Sequence, residues 1–173
     1  MSKLITMSLF TEFILQSIEY IHLNLPRIHK CLSEISEEDL WKRPNEHSNS
    51  IGNLIVHLCG NITQYIHSGL GGEPDIRERD LEFNRTGGLS KAQIYTKIEA
   101  VTDFAIKILK DLTEEDILRV HKVQGFEMSG VAIIVHVTEH FSYHTGQITF
   151  YTKLLTDKDM GYYEGQDLNV TGE

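Results

Sequence analysis

Between Phe10 and Leu32 the apolar residues fall at Phe10, Ile14, Ile18, Ile21, Leu25, Ile28 and Leu32. Steps of three and four put them on one face of a helix, because successive residues turn by about 100°. Pro26 lies inside this stripe and is expected to kink or split the helix, since it lacks an N–H and its ring crowds the preceding turn. A second helix is predicted to begin after Ser48-Asn49-Ser50, all good N-caps, and to run toward His67. Gly69–Gly72 then ends it. A third opens at Ser90 with Gln93 in the capping-box position, and its stripe is Ile94, Ile98, Val101, Ala105, Ile108 and Leu112. The fourth runs from near Ser129 to about Thr156, with Ile134, Val137, Phe141, His144, Ile148, Tyr151 and Leu155 on one face.

Four long amphipathic helices with few strand signals predict an all-α four-helix bundle, one domain spanning residues 1–173. Val120 to Met128 reads as a short extended segment. The tail, 159–173, has no core pattern and is expected to dock loosely, through Tyr162 and Tyr163. A faint duplication runs through the chain: Ile35-Ser-Glu-Glu-Asp-Leu40 and Leu112-Thr-Glu-Glu-Asp-Ile117 each precede a helix containing Ile-Val-His. Two related helix pairs packed face to face would explain it, and so would the commonness of such helix-start sequences. The connection from Gly69 to Leu89 is longer than usual between helices, which suits a functional or mobile loop. Its Arg77, Arg79 and Arg85 read first as solvated charges and second as partners for an acidic substrate group.

The net charge of −9, with no cluster of Lys and Arg, excludes a nucleic-acid-binding surface. No segment approaches the ~20 apolar residues of a membrane span, and no signal peptide is evident. A cytoplasmic protein is therefore expected. Its two cysteines, Cys31 and Cys59, are then reduced and belong to the core.

Three of nine histidines crowd one stretch, at His136, His140 and His144. Residues at i and i+4 project from nearly the same face, so such a pair can meet one metal ion. By the turn angle, His144 lies within roughly 20° of the centre of its stripe, His140 about 60° off and His136 about 100° off. The pair facing the interior is thus His140 with His144, either as metal ligands or as hydrogen-bonded core histidines. A third ligand has to come from another helix. His57 lies about 120° from the centre of the stripe formed by Ile51, Leu54, Leu58, Ile62 and Tyr65, so periodicity does not select it. His67 stands near a helix end, where exposure is the default. Geometry leaves the third ligand open.

Trp41, the run Asn49-Ser-Ile-Gly-Asn-Leu-Ile-Val-His57-Leu-Cys-Gly-Asn61, and Glu139-His140-Phe-Ser-Tyr-His144-Thr-Gly-Gln147 together resemble the DinB/YfiT-like superfamily. The resemblance covers nearly the whole chain, and the run from Asn49 suggests a DinB-like subgroup of unassigned role. It implies a four-helix bundle holding a divalent metal through His57, His140 and His144, with His136 at a position that is not a ligand. Zinc, nickel, copper and iron all suit imidazole, so the metal's identity stays open.

Three histidines leave coordination positions for water or substrate. Ligating imidazoles also need acceptors for their other N–H, for which Glu139, Asn53, Asn61 and Gln147 are candidates, while Tyr143 and Tyr65 are candidates to reach the cleft. By resemblance, the expected activity is that of a metal-dependent S-transferase, which activates a low-molecular-weight thiol such as bacillithiol, mycothiol or glutathione against an electrophilic small molecule. A metal-dependent hydrolase and a non-enzymatic metal-binding or stress-response protein are the alternatives. The substrate is expected to enter beside Gly69–Leu89. The superfamily's tendency, with Leu9, Leu15 and Phe150 at the margins of their stripes, predicts a homodimer.

Overall fold

Residues 7–172 are described by the computed structural model, and the expected domain limits at 1 and 173 lie outside them. Helix α1 spans Leu9–Glu34, the short α2 Glu37–Trp41, and α3 Ile51–Ile62, which continues as a π-helical turn over Thr63–Ser68. The short α4, Arg79–Asn84, precedes α5, Lys91–Asp111, and α6 covers Glu114–Leu118. Strands β1, Val120–Val123, and β2, Phe126–Ser129, lead into α7, Gly130–Thr156. The four long helices close a ring in which α1 touches α7 and α5, and α3 touches the same two. Their buried apolar side chains make one core, with Ile28, Ile55, Leu58, Ile98, Ile148 and Phe141 at its most enclosed points.

Each long helix starts where the sequence places a cap. Ser50 accepts from the Asn53 N–H while the Asn53 side chain returns the bond, and Ser90 with Gln93 does the same. The duplicated segments are duplicated in structure too. Ser36 with Asp39 and Thr113 with Asp116 form matching capping boxes at the starts of α2 and α6.

Two local expectations change, and a third is made specific. Pro26 does not split α1, which runs unbroken through it. One backbone bond is lost there, but Ile21, Asn24 and Ile28 on either side are buried against the bundle, and tertiary packing outweighs the missing donor. On α5 the buried face is Ile94, Ile98, Thr102, Ala105, Ile106 and Leu109, rotated from the expected stripe. Thr102 replaces Val101 because its hydroxyl bonds the Ile98 carbonyl at 2.9 Å, so only its methyl needs apolar company. The segment around Val120 is a two-stranded antiparallel hairpin pairing Val120 with Ser129 and Val123 with Phe126. Gln124 (φ 51°) and Gly125 (φ 81°) form its two-residue turn, which needs a left-handed backbone at both positions.

The start of the tail docks firmly. Met160 is buried, the Tyr162 hydroxyl lies 2.9 Å from Thr149 Oγ1 and 3.2 Å from Cys31 Sγ, and Arg27 donates to the Tyr163 hydroxyl at 2.9 Å. Both cysteines are free and buried, and burial pushes the Cys59 thiol up to about 12. No helix among the described residues is long and apolar enough to cross a membrane.

Candidate metal centre

Helices α3 and α7 bring three imidazoles together. Ligand atoms of His57, His140 and His144 all lie within 4.8 Å of one another. His57 Nε2 is 2.9 Å from His140 Nε2, and the His144 ring stands 4.4 Å from His140 and 5.0 Å from His57, edge-on to both. The pair on α7 arises from its i, i+4 spacing. His57 joins because α3 crosses α7 at the same level, 83 residues earlier in the chain.

Two rings have their far nitrogens tied. His144 Nδ1 lies 2.7 Å from Gln147 Oε1, an oxygen that can only accept, so Nδ1 carries the proton and Nε2 faces the cluster unprotonated. His57 Nδ1 lies 2.8 Å from Glu82 Oε2, and a carboxylate oxygen forces the same tautomer there. Arg77 holds that carboxylate from the other side, with Nε 2.7 Å from Oε1 and a terminal nitrogen 2.8 Å from Oε2. Burial pushes Glu82 up, and the bonds from Arg77 and then His57 outweigh it, so Glu82 is an anion below its ordinary range.

Burial likewise works against a charged His140, joined by repulsion from His144, His57, His136 and Arg77, and lowers it to about 3. His144 falls to about 4, chiefly through burial, despite the opposing bond to Gln147. Both rings are therefore neutral at pH 7, as a metal ligand must be.

A divalent ion fits this donor set. The imidazoles of His140 and His144 are neutral, and the ligand atoms of all three rings lie within 4.8 Å of one another, so they can hold one ion between them. Carboxylate and amide oxygens behind two of the rings are the usual supports of such ligands.

His136 stays outside the cluster, as its angle on the helix predicts. Its Nε2 accepts from Asn61 Nδ2 at 3.1 Å, and its ring lies between His140 (5.2 Å) and Tyr65 (4.4 Å). Asn61 therefore serves His136 rather than a cluster imidazole. Tyr65 donates to Gln124 at 2.6 Å and is engaged away from the cluster. Glu139 is exposed, and of the expected acceptors only Gln147 supports a clustered ring. His67 is buried rather than exposed, with Nε2 3.0 Å from the Val101 carbonyl, because the π-helical turn packs it against α5.

Glu82 was not legible among the expected acceptors. It sits on α4, inside the long connection 69–89, which folds back as a strap over the outer face of α3. The same fold corrects the reading of Arg77 as a solvated charge. Its side chain is only 3% exposed, and its pairing with Glu82 leaves it unfree to meet a substrate carboxylate. Arg79 lies 4.8 Å over the Phe83 ring, and Arg85 reaches the Gly87 carbonyl. An acidic residue in a long polar loop, with an arginine five residues before it, was the only local signal.

Comparison with known proteins agrees with this fold. A DinB-like protein (YjoA) from Bacillus subtilis superposes with a TM-score of 0.62 at 20% identity, over 81% of this chain and 91% of that one. Another DinB-like protein, from Bacillus cereus ATCC 10987, gives 0.64 at 21% identity, over 82% and 90% respectively. At such identities the likeness shows the fold, which is DinB-like. No protein of curated function matches the chain in sequence. The family described as "Protein of unknown function (DUF1572)" matches residues 9–163, so the chain, with its bundle and its cluster of three histidines, belongs to the DUF1572 family.

Proposed function

We propose that the protein is a metal-dependent enzyme, an S-transferase that activates a low-molecular-weight thiol for attack on an electrophilic small molecule, with His57, His140 and His144 as the metal ligands. One observation carries the reading. Three imidazoles converge, and no fourth histidine, cysteine or carboxylate among the described residues joins them. A set of three protein ligands characterises catalytic sites, where structural sites use four. When bound, a divalent ion (zinc, nickel or iron) would supply Lewis-acid chemistry and hold the thiol as its thiolate near neutral pH.

The chain's own residues orient and enclose. Gln147 and Glu82 fix the tautomers of His144 and His57. A cleft of about 690 Å³ opens between the α2–α3 connection and α7, and its wall includes Tyr143, Leu54 and Gln147, the residue that bonds His144. The Tyr143 ring stands 5.0 Å from that of His144. No Lys, Arg, Asp or Glu lines this cleft, which suits an uncharged electrophile.

The test is conjugation of a chromogenic electrophile by metal-loaded protein supplied in turn with bacillithiol, mycothiol and glutathione. At least one thiol should raise the rate above the background of metal and thiol alone, and His144→Ala should return it to background. If every thiol stays at background while metal remains bound, the transferase reading fails and the cluster is a metal-binding site without this chemistry.

The chain is also proposed to form a homodimer. Leu9 and Phe150 are 86% and 69% exposed, with Leu15, Tyr20 and Leu154 exposed on the same two helices, α1 and α7. Light scattering at micromolar concentration should give twice the chain mass of 19.8 kDa, and the single mass would overturn it.

A further inference from the structure

Helix α3 and the π-helical turn that continues it carry a second stripe, turned away from the apolar one. Asn53, His57, Gly60 and Gln64 follow at steps of four, three and four, so they align down one side. Each meets the strap. Asn53 Nδ2 donates to the carbonyls of Glu82 at 2.9 Å and Arg85 at 2.7 Å. His57 donates to Glu82 Oε2. A Cβ built on Gly60 would overlap Glu82 Oε1 and lie 2.7 Å from its Cδ and 2.9 Å from Arg77 Nε, so the pair requires glycine beneath it. Gln64 accepts from Arg77 Nη1 at 2.9 Å and donates to Asp75 Oδ2 at 2.9 Å. A polar stripe with a helical period would ordinarily face water. Here Asn53, His57 and Gln64 are all buried.

We infer that Glu82 is the positioning residue of the centre, and that the stripe and strap form one device for holding it. The inference rests on the reading of His57 as a metal ligand. Glu82 accepts the hydrogen bond from Nδ1–H and so leaves Nε2 unprotonated and facing the cluster. Arg77 keeps both carboxylate oxygens in place, and Asn53 anchors the backbone that carries them. Gly60 leaves the space that lets the carboxylate reach the ring at all. Removing such an acceptor typically weakens metal binding about 10–100-fold. The carboxylate also raises the electron density of the ligating ring, which a neutral acceptor does less well.

The experiment measures two things on wild type, Glu82→Ala, Glu82→Gln and Gly60→Ala. Nitrogen NMR of the metal-free protein reads the tautomer of His57, and titration with cobalt(II) reads affinity together with the absorption spectrum of the bound ion. Wild type should show the Nδ1–H form alone. Glu82→Ala should show a mixture of tautomers, with cobalt affinity lower by roughly 10–100-fold and a shifted spectrum. Glu82→Gln should restore the tautomer, because its amide oxygen still accepts, and only part of the affinity. Gly60→Ala should reproduce the alanine result by displacing an intact Glu82. Alanine favours the helix over glycine, so lost helicity cannot be the cause. An unchanged tautomer and affinity in both Glu82→Ala and Gly60→Ala would overturn the assignment. If wild type binds no cobalt, the metal reading falls by itself, and the tautomer measurement still decides whether Glu82 orients the ring.

Discussion

Replacing His140 with alanine is expected to abolish stoichiometric metal binding, whereas His136→Ala leaves it nearly intact. The two histidines lie one helical turn apart, and their rings stack at 5.2 Å, so a general disturbance of α7 would affect them alike. Their chemistry differs. His140 Nε2 points at His57 Nε2 across 2.9 Å, inside the three-imidazole cluster, while His136 Nε2 is engaged by Asn61. Loss of an outer support costs about 10–100-fold in affinity, and loss of a donor costs more than that. Metal content of untagged protein after dialysis, with circular dichroism to confirm the bundle, makes the measurement. Equal losses from the two substitutions would refute the ligand assignment.

Acid should destabilise the metal-free protein well before its exposed carboxylates are titrated. In the unfolded chain His140 and His144 take up protons near 6.5, and in the folded protein only near about 3 and about 4. Between those limits the unfolded state binds more protons, so stability falls as the pH falls, and above about 6.5 the effect is absent. The cause is chiefly burial, with like charge from the neighbouring rings and Arg77 added for His140. The two rings are coupled and His140 keeps some solvent contact, so the combined loss by pH 4 is on the order of 2–3 kcal/mol. That is a large part of a typical domain's stability. Urea unfolding at stepped pH checks it. The slope should be reduced in His140→Ala, and a flat profile from pH 6.5 to 4 in wild type would refute the prediction.

Much of the centre was legible because helix geometry is local. The stripe on α7 fixed which way His140 and His144 face before any partner was known, and it put His136 at the edge. The capping residues Ser50, Ser90 and Ser129 marked helix starts for the same reason, since a cap bonds within three residues of itself. Gln147 was within reach of His144 on its own helix. These are relations between residues whose separation the backbone sets.

His57, Glu82 and Arg77 belong to another kind. An apolar stripe shows only which face of α3 meets hydrophobic neighbours, and His57 lies on the other face, which is buried by a polar strap. Its ring is enclosed by Phe83 at 4.6 Å, by Glu82 and by Arg77, from 20 to 26 residues further on. The resemblance carried by Asn49–Asn61 pointed to His57, but hydrophobic periodicity could not.

The sequence by itself therefore determined four amphipathic helices, their starts, and an inward histidine pair, because each follows from a repeat of 3.6 residues. Only the tertiary structure decided that α3 has two buried faces, that Arg77 is paired rather than solvated, and that Glu82 is the acceptor behind His57. Those facts depend on where a loop of 21 residues folds back, and that is set by hydrogen bonds and charge pairs across long separations, which the apolar repeat does not report.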